Sequence, residues 1–521
     1  MKKKSAKILS AIMVLGLSAA LCACGGGSGS TASETGNNSS DTSESGMSDS
    51  SDHSALVFGL TQEISSVDPH EDTDAATRSV LFNVFEGLVK PTTDGEVEPA
   101  VAQDYTVSDD MTEYTFTLRD GITFHDGNPV TAEDVKYSLE RSAGIDGDQS
   151  ALSAISDIST PDDSTVVITL SAPDSEFIYN LTTAVLEEAN DAQQADNPIG
   201  TGPFKLTEFE EGQYLTLEKY DGYWNKDLDY IDEVQVKFVA DADEAFMELQ
   251  SGSIDCLQYL TKDQISSVGD DYNIITTTMM LVHGLFLNND YEPLQNKEVR
   301  QALNYAVDRD AINEMFADGK GMIVQTHGYP RITAWYNKDT EGTYTYDPDK
   351  AKELLADAGY ADGFDLEITV PSNFTQHVTT AEMIAENLKA VGINATINSV
   401  DWNTWLSETY QNRNYQATVI GFDISSLSPA TWYKRYYSTS DNDMTNFAST
   451  EYDSLYDQAQ QTTDNDTKKD LYGQMQQILT DDAASVFIQD PGDFIALNKR
   501  FTGLKTYPVS ALDFSSVQYA N

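Results

Sequence analysis

Basic residues are scarce in this sequence: 31 Lys and Arg stand against 85 Asp and Glu, for a formal net charge of -54. So negative a surface repels phosphate backbones and anionic lipid headgroups. That excludes nucleic acid as a partner and excludes membrane attachment through the folded body itself. Cysteine is scarcer still. Cys22 and Cys24 lie near the start, and only Cys256 falls in the part able to fold. A single cysteine makes neither an intramolecular disulfide nor a cysteine-based zinc site, so Cys256 reads as a small buried apolar residue. The six histidines, at 53, 70, 125, 283, 327 and 377, include no pair at metal-ligand spacing and read as structural or exposed. No G-x-S-x-G elbow, H-E-x-x-H pair or Walker loop occurs, which argues against an enzyme built on any of these. Neither a metal nor a cofactor is expected. After residue 23 no apolar run long enough to cross a bilayer recurs.

What is present begins with MKKKSAK, followed by the apolar stretch ILSAIMVLGLSAALCA, residues 8–23. This reads as a secretory signal over 1–23. Leu21, Cys22, Ala23 and Cys24 resemble the bacterial lipobox, which implies that Cys24 carries lipid and becomes the new N-terminus. Residues 24–53 are dominated by Gly, Ser, Thr, Asn and acids. Such a composition cannot bury enough apolar surface to offset the entropy of ordering it. The expectation is a disordered tether, with a reach of about 30 Å for about thirty residues.

From residue 54 the texture becomes that of a folded chain, 40% hydrophobic overall. ALVFGL (55–60), STVVITL (164–170), QYLTLEKY (213–220) and DEVQVKFVA (232–240) read as strands, and YTFTLRDGITFHDG (114–127) as alternating strand segments with Asp-Gly turns. Thr131 and Asp134 form a capping-box pattern ahead of a helix with Val135 and Leu139 on one face. Asn296 caps a stripe of Val299, Ala302, Leu303 and Ala306. Asp347 and Pro348 start a helix with Leu354 and Leu355 facing inward, which Gly359 ends. The strand FDLEITV, the helix TTAEMIAENLKAVG and the strand INATINSV then alternate as βαβ units do, giving an α/β lobe.

Several segments, taken in order, resemble the family 5 extracellular solute-binding proteins of ABC importers. They are SSVDPH (65–70), VFEGLV (84–89), the run from Asp94 to Arg141, PIGTGPFKLTEFEEGQYLTLEKYDGYW (198–224), FLNNDYEPLQNKEVRQALNYAVDRDAI (286–312) and YDPDKAKELLADAGY (346–360). The resemblance implies an α/β, two-lobed periplasmic-binding-protein-like fold of the class II (cluster C) type. Lobe one would span 54–277, with an inserted subdomain at about 83–196, and be completed by 487–521; lobe two would span 278–486. Hinge crossings are expected near 276–284 and 485–491. The implied function is that of a lipid-anchored, monomeric receptor on the extracellular face of the membrane, or in a periplasm. It would close over a small-molecule ligand and deliver it to an ABC permease with its ATPase. The tether would keep it near that permease.

Peptides are the leading ligand class; an oligosaccharide or a metal chelate is the alternative within the fold. Many members of the family it resembles carry a run like G-W-x-x-D-x-x-D-P in lobe two, whose first Asp pairs with the ligand's amine in the peptide binders. Here the run is GFDISSLSP, 421–429. Phe422 stands at the Trp, Ser425 and Ser428 stand at the two acids, and Val419 stands where some relatives have an Arg. Asp423 is the candidate replacement carboxylate, because a desolvated ammonium needs a charged partner. The resemblance also points to Asp72, Thr73 and Asp74 in the loop after the first strand, and to Trp402 as a pocket aromatic, with Trp405 in the core. Arg331 is a candidate partner for a ligand carboxylate. Two readings from other classes remain at this stage: a secreted hydrolase using a carboxylate pair, and a lipoprotein reporting ligand to a membrane kinase.

Overall fold

The computed structural model describes residues 55–64, 66–71, 74–146, 151–441 and 443–520. The signal, the tether, Cys24, Asp72 and Thr73 lie outside the described residues. Among the described residues the first strand is β1 (Leu56–Leu60), followed by β2 (Ala102–Val107), β3 (Glu113–Leu118), β4 (Ile155–Asp162) and β5 (Thr165–Leu170). Next come β6 (Phe204–Glu210), β7 (Tyr214–Lys219), β8 (Glu233–Phe238), β9 (Cys256–Leu257) and β10 (Tyr272–Thr277). A third group follows: β11 (Leu281–Leu287), β12 (Met322–Ile323), β13 (Asp365–Pro371), β14 (Asn394–Val400), β15 (Ala417–Asp423) and β16 (Ser485–Asp490). β17 (Asp493–Asn498) completes the set of strands that build the three larger sheets.

Those sheets are one of seven strands, in the order β10-β17-β9-β1-β8-β7-β6, one of six, in the order β12-β16-β11-β15-β13-β14, and a separate one of four, β2-β3-β5-β4. Both large sheets are mixed. β1 runs parallel to β8 and β9, while β17 is antiparallel to β10; in the second sheet β13 is parallel to β14 and β15, while β11 is antiparallel to β15 and β16. Successive residues of a strand point to opposite faces, and in the central strands both faces are apolar. Along β11, Val282 and Phe286 enter one hydrophobic cluster and Leu285 and Leu287 the other. Along β17, Ile495 and Leu497 go one way and Phe494 and Ala496 the other. Cys256, buried on β9, packs in the first of these lobe-one clusters, and burial pushes its thiol pKa up.

Local signals explain the helices used below. α1 (Ala75–Leu81) is capped by Asp74. α2 (Ala132–Asp146) starts in a reciprocal box: the Asp134 amide donates to Thr131 Oγ1 at 3.3 Å and the Thr131 amide to Asp134 Oδ2 at 3.0 Å. α3 (Lys297–Ala306) is capped by Asn296 and buries the stripe its sequence shows. α4 (Pro348–Asp357) has Asp347 as cap, and Gly359 past its end adopts φ 88°. α5 (Thr375–Lys389), α6 (Pro429–Tyr433) and α7 (Asn465–Asp481) complete the helices needed here.

Three expectations are corrected. The second half of YTFTLRDGITFHDG is no ladder strand: residues 122–130 close as a loop with a single bridge between Thr123 and Pro129, because Gly127 at φ 90° turns the chain back on itself. α5 begins one turn before TTAEM, at Thr375. Finally, the chain does not leave the second sheet at 487. Gln489 pairs with His283, and Asp490 pairs with Met322, which keeps β16 in that sheet up to Asp490. The two crossings between the large sheets are therefore 278–280 and 491–492.

Candidate functional site

Where the two crossings run side by side, one carboxylate ties them together. Asp490 has no exposed surface and accepts from the amides of Met279 (2.9 Å) and Gly492 (2.9 Å) through Oδ1. Through Oδ2 it accepts from the Leu281 amide (3.0 Å) and the Tyr329 hydroxyl (2.7 Å). Gly492 sits at φ 83°, a conformation open to glycine at no steric cost.

Two cavities open between the sheets, of about 510 and 480 Å³. The first is walled largely by lobe-one residues, including Glu71, Arg78, Glu86, Lys90, Tyr223 and Asp513, with Ser425 and Leu427 reaching in from beyond β15. The second is lined by Glu176 and Tyr179 from one side and Ser426, Ser428 and Lys434 from the other. Thr182, Ser425, Leu427 and Val509 border both, so the turn 424–428 stands between them.

In the first cavity Glu86 is held by the Tyr223 hydroxyl and the Trp224 Nε1–H, each at 2.8 Å, with Lys90 Nζ 3.8 Å away. Burial pushes its carboxyl pKa up, and Lys90 and the two hydrogen bonds pull it partly back. Asp513 accepts from the Tyr507 hydroxyl at 2.8 Å and the Ser515 hydroxyl at 2.5 Å.

The residues singled out in the sequence scatter around this centre. Ser425 borders both cavities. Asp423 is exposed, and its Oδ1 accepts from the amide (2.7 Å) and hydroxyl (2.6 Å) of Ser425. Phe422 packs edge-on against Phe286 at 4.8 Å, with the Arg435 guanidinium 4.4 Å over its ring. Asp74 spends its carboxylate on the cap of α1, accepting from Thr77. Arg331 donates to the carbonyls of Thr93 and Thr506, so it bridges lobe two to lobe one rather than meeting a carboxylate.

Trp402 is 38% exposed, stacks on buried Trp405 at 5.2 Å and lines none of these cavities. Trp402→Ala is expected to cost about 1 kcal/mol through the lost stack and to leave ligand affinity unchanged. A fall in affinity at unchanged thermal stability would instead put Trp402 in the ligand's path.

Sequence reasoning missed Glu86 and Asp513 as cavity carboxylates. Glu86 carried a signal: it is an acid inside the apolar run VFEGLV, and a buried acid must have partners. It also missed that His283 and His377, 94 residues apart, meet with Nε2 and Nδ1 at 2.9 Å, both buried. No spacing rule could have found that pair. Among the described residues, no group of three or more His, Cys, Asp or Glu is placed to hold a metal ion, and no helix is long and apolar enough to cross a membrane.

The family described as bacterial extracellular solute-binding proteins, family 5 middle, matches residues 96–444. The chain belongs to this family. It is a family 5 solute-binding protein of ABC importers, and the proteins it resembles are binding components of transporters rather than enzymes. It is 26% identical over 495 residues to the dipeptide-binding protein DppE of Bacillus subtilis, covering 88% of this chain and 90% of that protein. It is 28% identical over 465 residues to the dipeptide-binding protein of Escherichia coli, covering 81% and 86%. Among solved structures, HbpA2 from Haemophilus parasuis superposes with a TM-score of 0.81 at 24% identity, over 90% of this chain and all of that one. This family 5 protein thus shares the two-lobed fold of its relatives. Proteins of the family are extracellular.

Proposed function

We propose that this family 5 protein is a lipid-anchored receptor for short peptides, held by Cys24 on a tether of residues 24–53, acting as a monomer and handing its ligand to a membrane permease. Lobe one comprises 54–277 with a subdomain at about 83–196, and lobe two runs from 278 to the second crossing, after which the chain returns to lobe one. The observation that carries the reading is the cavity of about 510 Å³ between the sheets, walled by lobe one and closed from lobe two by Ser425 and Leu427. A ligand touching both walls favours closure, because it gains those contacts only when the lobes meet. The relatives named dipeptide-binding proteins support a peptide ligand. So does the presence of both signs in the lining, with Glu71, Glu86 and Asp513 against Arg78 and Lys90, since a zwitterion needs partners of each. Glu71 replaces the acids that Ser425 and Ser428 do not supply. Asp423, its Oδ1 engaged by Ser425, is left in a supporting part.

Native mass spectrometry of the protein purified from a complex medium, followed by denaturation, tests this. A ladder of short peptides is expected. Ser425→Trp, at a half-buried position on the cavity border, is expected to come out empty with its folding intact. Release of one non-peptide solute overturns the peptide reading.

A further inference from the structure

Two stretches of lobe one that are distant in sequence wall the first cavity, and one buried side chain ties them together. Phe82 and Glu86 belong to the stretch after α1; Tyr507, Asp513 and Ser515 belong to a hairpin formed by Lys505–Thr506 and Leu512–Asp513 and the residues beside it. Asn83 stands in the first stretch, has no exposed surface, and spends its carboxamide largely on the second. Nδ2 donates to the Leu512 carbonyl at 2.6 Å and to the Val80 carbonyl at 3.1 Å, and Oδ1 accepts from the Phe514 amide at 2.9 Å. It therefore grips the backbone on both sides of Asp513. Successive residues of an extended strand point to opposite faces, so Leu512 and Phe514 enter the lobe-one apolar cluster while Asp513 borders the cavity. The backbone of this stretch is fixed in turn. The Asn83 carbonyl accepts from the Phe204 amide at 3.0 Å and the Val84 carbonyl from the Gly202 amide at 2.9 Å. His125 clamps that glycine turn, its Nδ1 accepting from the Gly200 amide at 3.2 Å and its Nε2 donating to the Gly202 carbonyl at 3.1 Å.

We infer that Asn83 is a positioning residue of the ligand site: without lining the cavity itself, it sets where the hairpin presents Asp513 relative to Glu86. The inference rests on the reading that the first cavity receives the ligand, but not on the ligand's class or on how the lobes stand to one another, since Asn83 and all its partners lie in lobe one. Apolar packing is non-directional. It holds Leu512 and Phe514 down without fixing their register. The hairpin's own ladder is too short to do so, with two residue pairs at 505–506 and 512–513 and two more at 501–502 and 518–519. Arg331 of lobe two also reaches the hairpin, but at the Thr506 carbonyl, on the strand that does not carry Asp513. A carboxamide that donates on one side of a residue and accepts on the other fixes that residue's place, because a hydrogen bond weakens steeply with distance and angle. The two hydroxyls that hold the Asp513 carboxylate, from Tyr507 and Ser515, come from the same segment, so the acid and its donors shift as one body when the hairpin shifts. The gap between the two acids of the cavity is thereby set by a residue outside it.

The test separates position from stability by comparing Asn83→Ala with Val234→Ala in the whole protein. Val234 is fully buried in the same apolar cluster and does not line the cavity, so its truncation costs stability and leaves the wall in place. Thermal melting ranks the variants. Hydrogen exchange of the ligand-free protein is read at 505–511, where no amide bonds to Asn83, and at β1. Calorimetry measures affinity for trialanine, or for the released solute itself where native mass spectrometry finds no peptide. Asn83→Ala is expected to speed exchange at 505–511 by about tenfold or more while β1 keeps its protection, and to weaken binding by about tenfold. Val234→Ala is expected to lower the melting temperature comparably, with affinity within about twofold of the parent and no selective opening of 505–511. Unchanged exchange at 505–511 in Asn83→Ala overturns the inference, and so does an affinity that falls no further than in Val234→Ala. If Asn83→Ala does not fold, Asn83→Ser, whose one short hydroxyl cannot span both groups, is read in the same way. A weakened grip on a non-peptide solute, with the hairpin opened, leaves Asn83 in its role and removes only the peptide reading. A hairpin that opens with no change in affinity removes the first cavity as the ligand's site, and the inference with it.

Discussion

Asp490→Ala is expected to destabilise the protein by about 4 kcal/mol, a large effect for one side chain away from the apolar cores. Three amides, those of Met279, Leu281 and Gly492, and the Tyr329 hydroxyl all point at this carboxylate. A buried donor left without an acceptor costs about 1–3 kcal/mol, and water that enters the gap recovers part of that. The donors come from both crossings, so the loss falls on the strands that join the lobes. Asp490→Asn keeps one oxygen but turns an amide N–H₂ toward donors, and about half the effect is expected. Urea unfolding followed by hydrogen exchange of residues 278–281 measures both variants. A loss below about 1 kcal/mol for the alanine would show that the crossings hold their course without it.

The second large effect is a loss of stability in acid. His327 is 2% exposed, accepts from the Ser485 amide at 3.1 Å, and is neutral in the fold; burial, with Arg300 and Arg309 nearby, lowers its pKa from 6.5 to about 3. His377 is lowered by burial to about 4, and its partner His283 well below the usual value, first by burial and then by His377 itself. With a depressed folded pKa, the unfolded chain binds the proton first. The stabilisation is complete above the unfolded value of 6.5 and is lost as pH falls toward 4. Burial lowers His125 to about 4 as well, and for His327, His377 and His125 together this amounts to about 9 kcal/mol by pH 4.

Asp493 works the other way. Burial raises its carboxyl to about 6, so the fold holds that proton more tightly and gains about 2 kcal/mol between pH 6 and 4. The net expectation for these groups is a loss of about 6 kcal/mol between pH 6.5 and 4. Urea midpoints across that range measure it, and His327→Gln, whose amide oxygen can still accept from Ser485, should remove about a third of the histidine slope. Stability that is flat or rises on acidification would mean that the imidazoles are charged in the fold.

What could be read in advance divides along physical lines. The capping box at Thr131, the Asn296 and Asp347 caps and the Gly359 stop are interactions within a few residues of sequence, so the spacing of residue types contains them. The strand segments at 164–170, 213–220 and 232–240 are likewise visible, because a two-residue period needs no partner to be seen. ITFHDG was misread as a strand, since its alternation is real but the ladder it would join is not there. The site was legible only at Ser425. Its neighbour Asp423 follows from the same short run, whereas Glu86, Asp513 and Glu176 reach their places through the packing of elements far apart in the chain.

The sequence by itself determined the charge, the lack of disulfide and motif-based catalytic chemistry, the helix ends and the family likeness, because each depends on composition or on neighbours within a turn. Only the tertiary structure decided where the chain crosses between sheets, which carboxylates line the cavities, that His283 meets His377, and that Glu176 lands on Ser428 and Lys468. These depend on which apolar faces pack together, and no local rule links residues 94 or 252 positions apart.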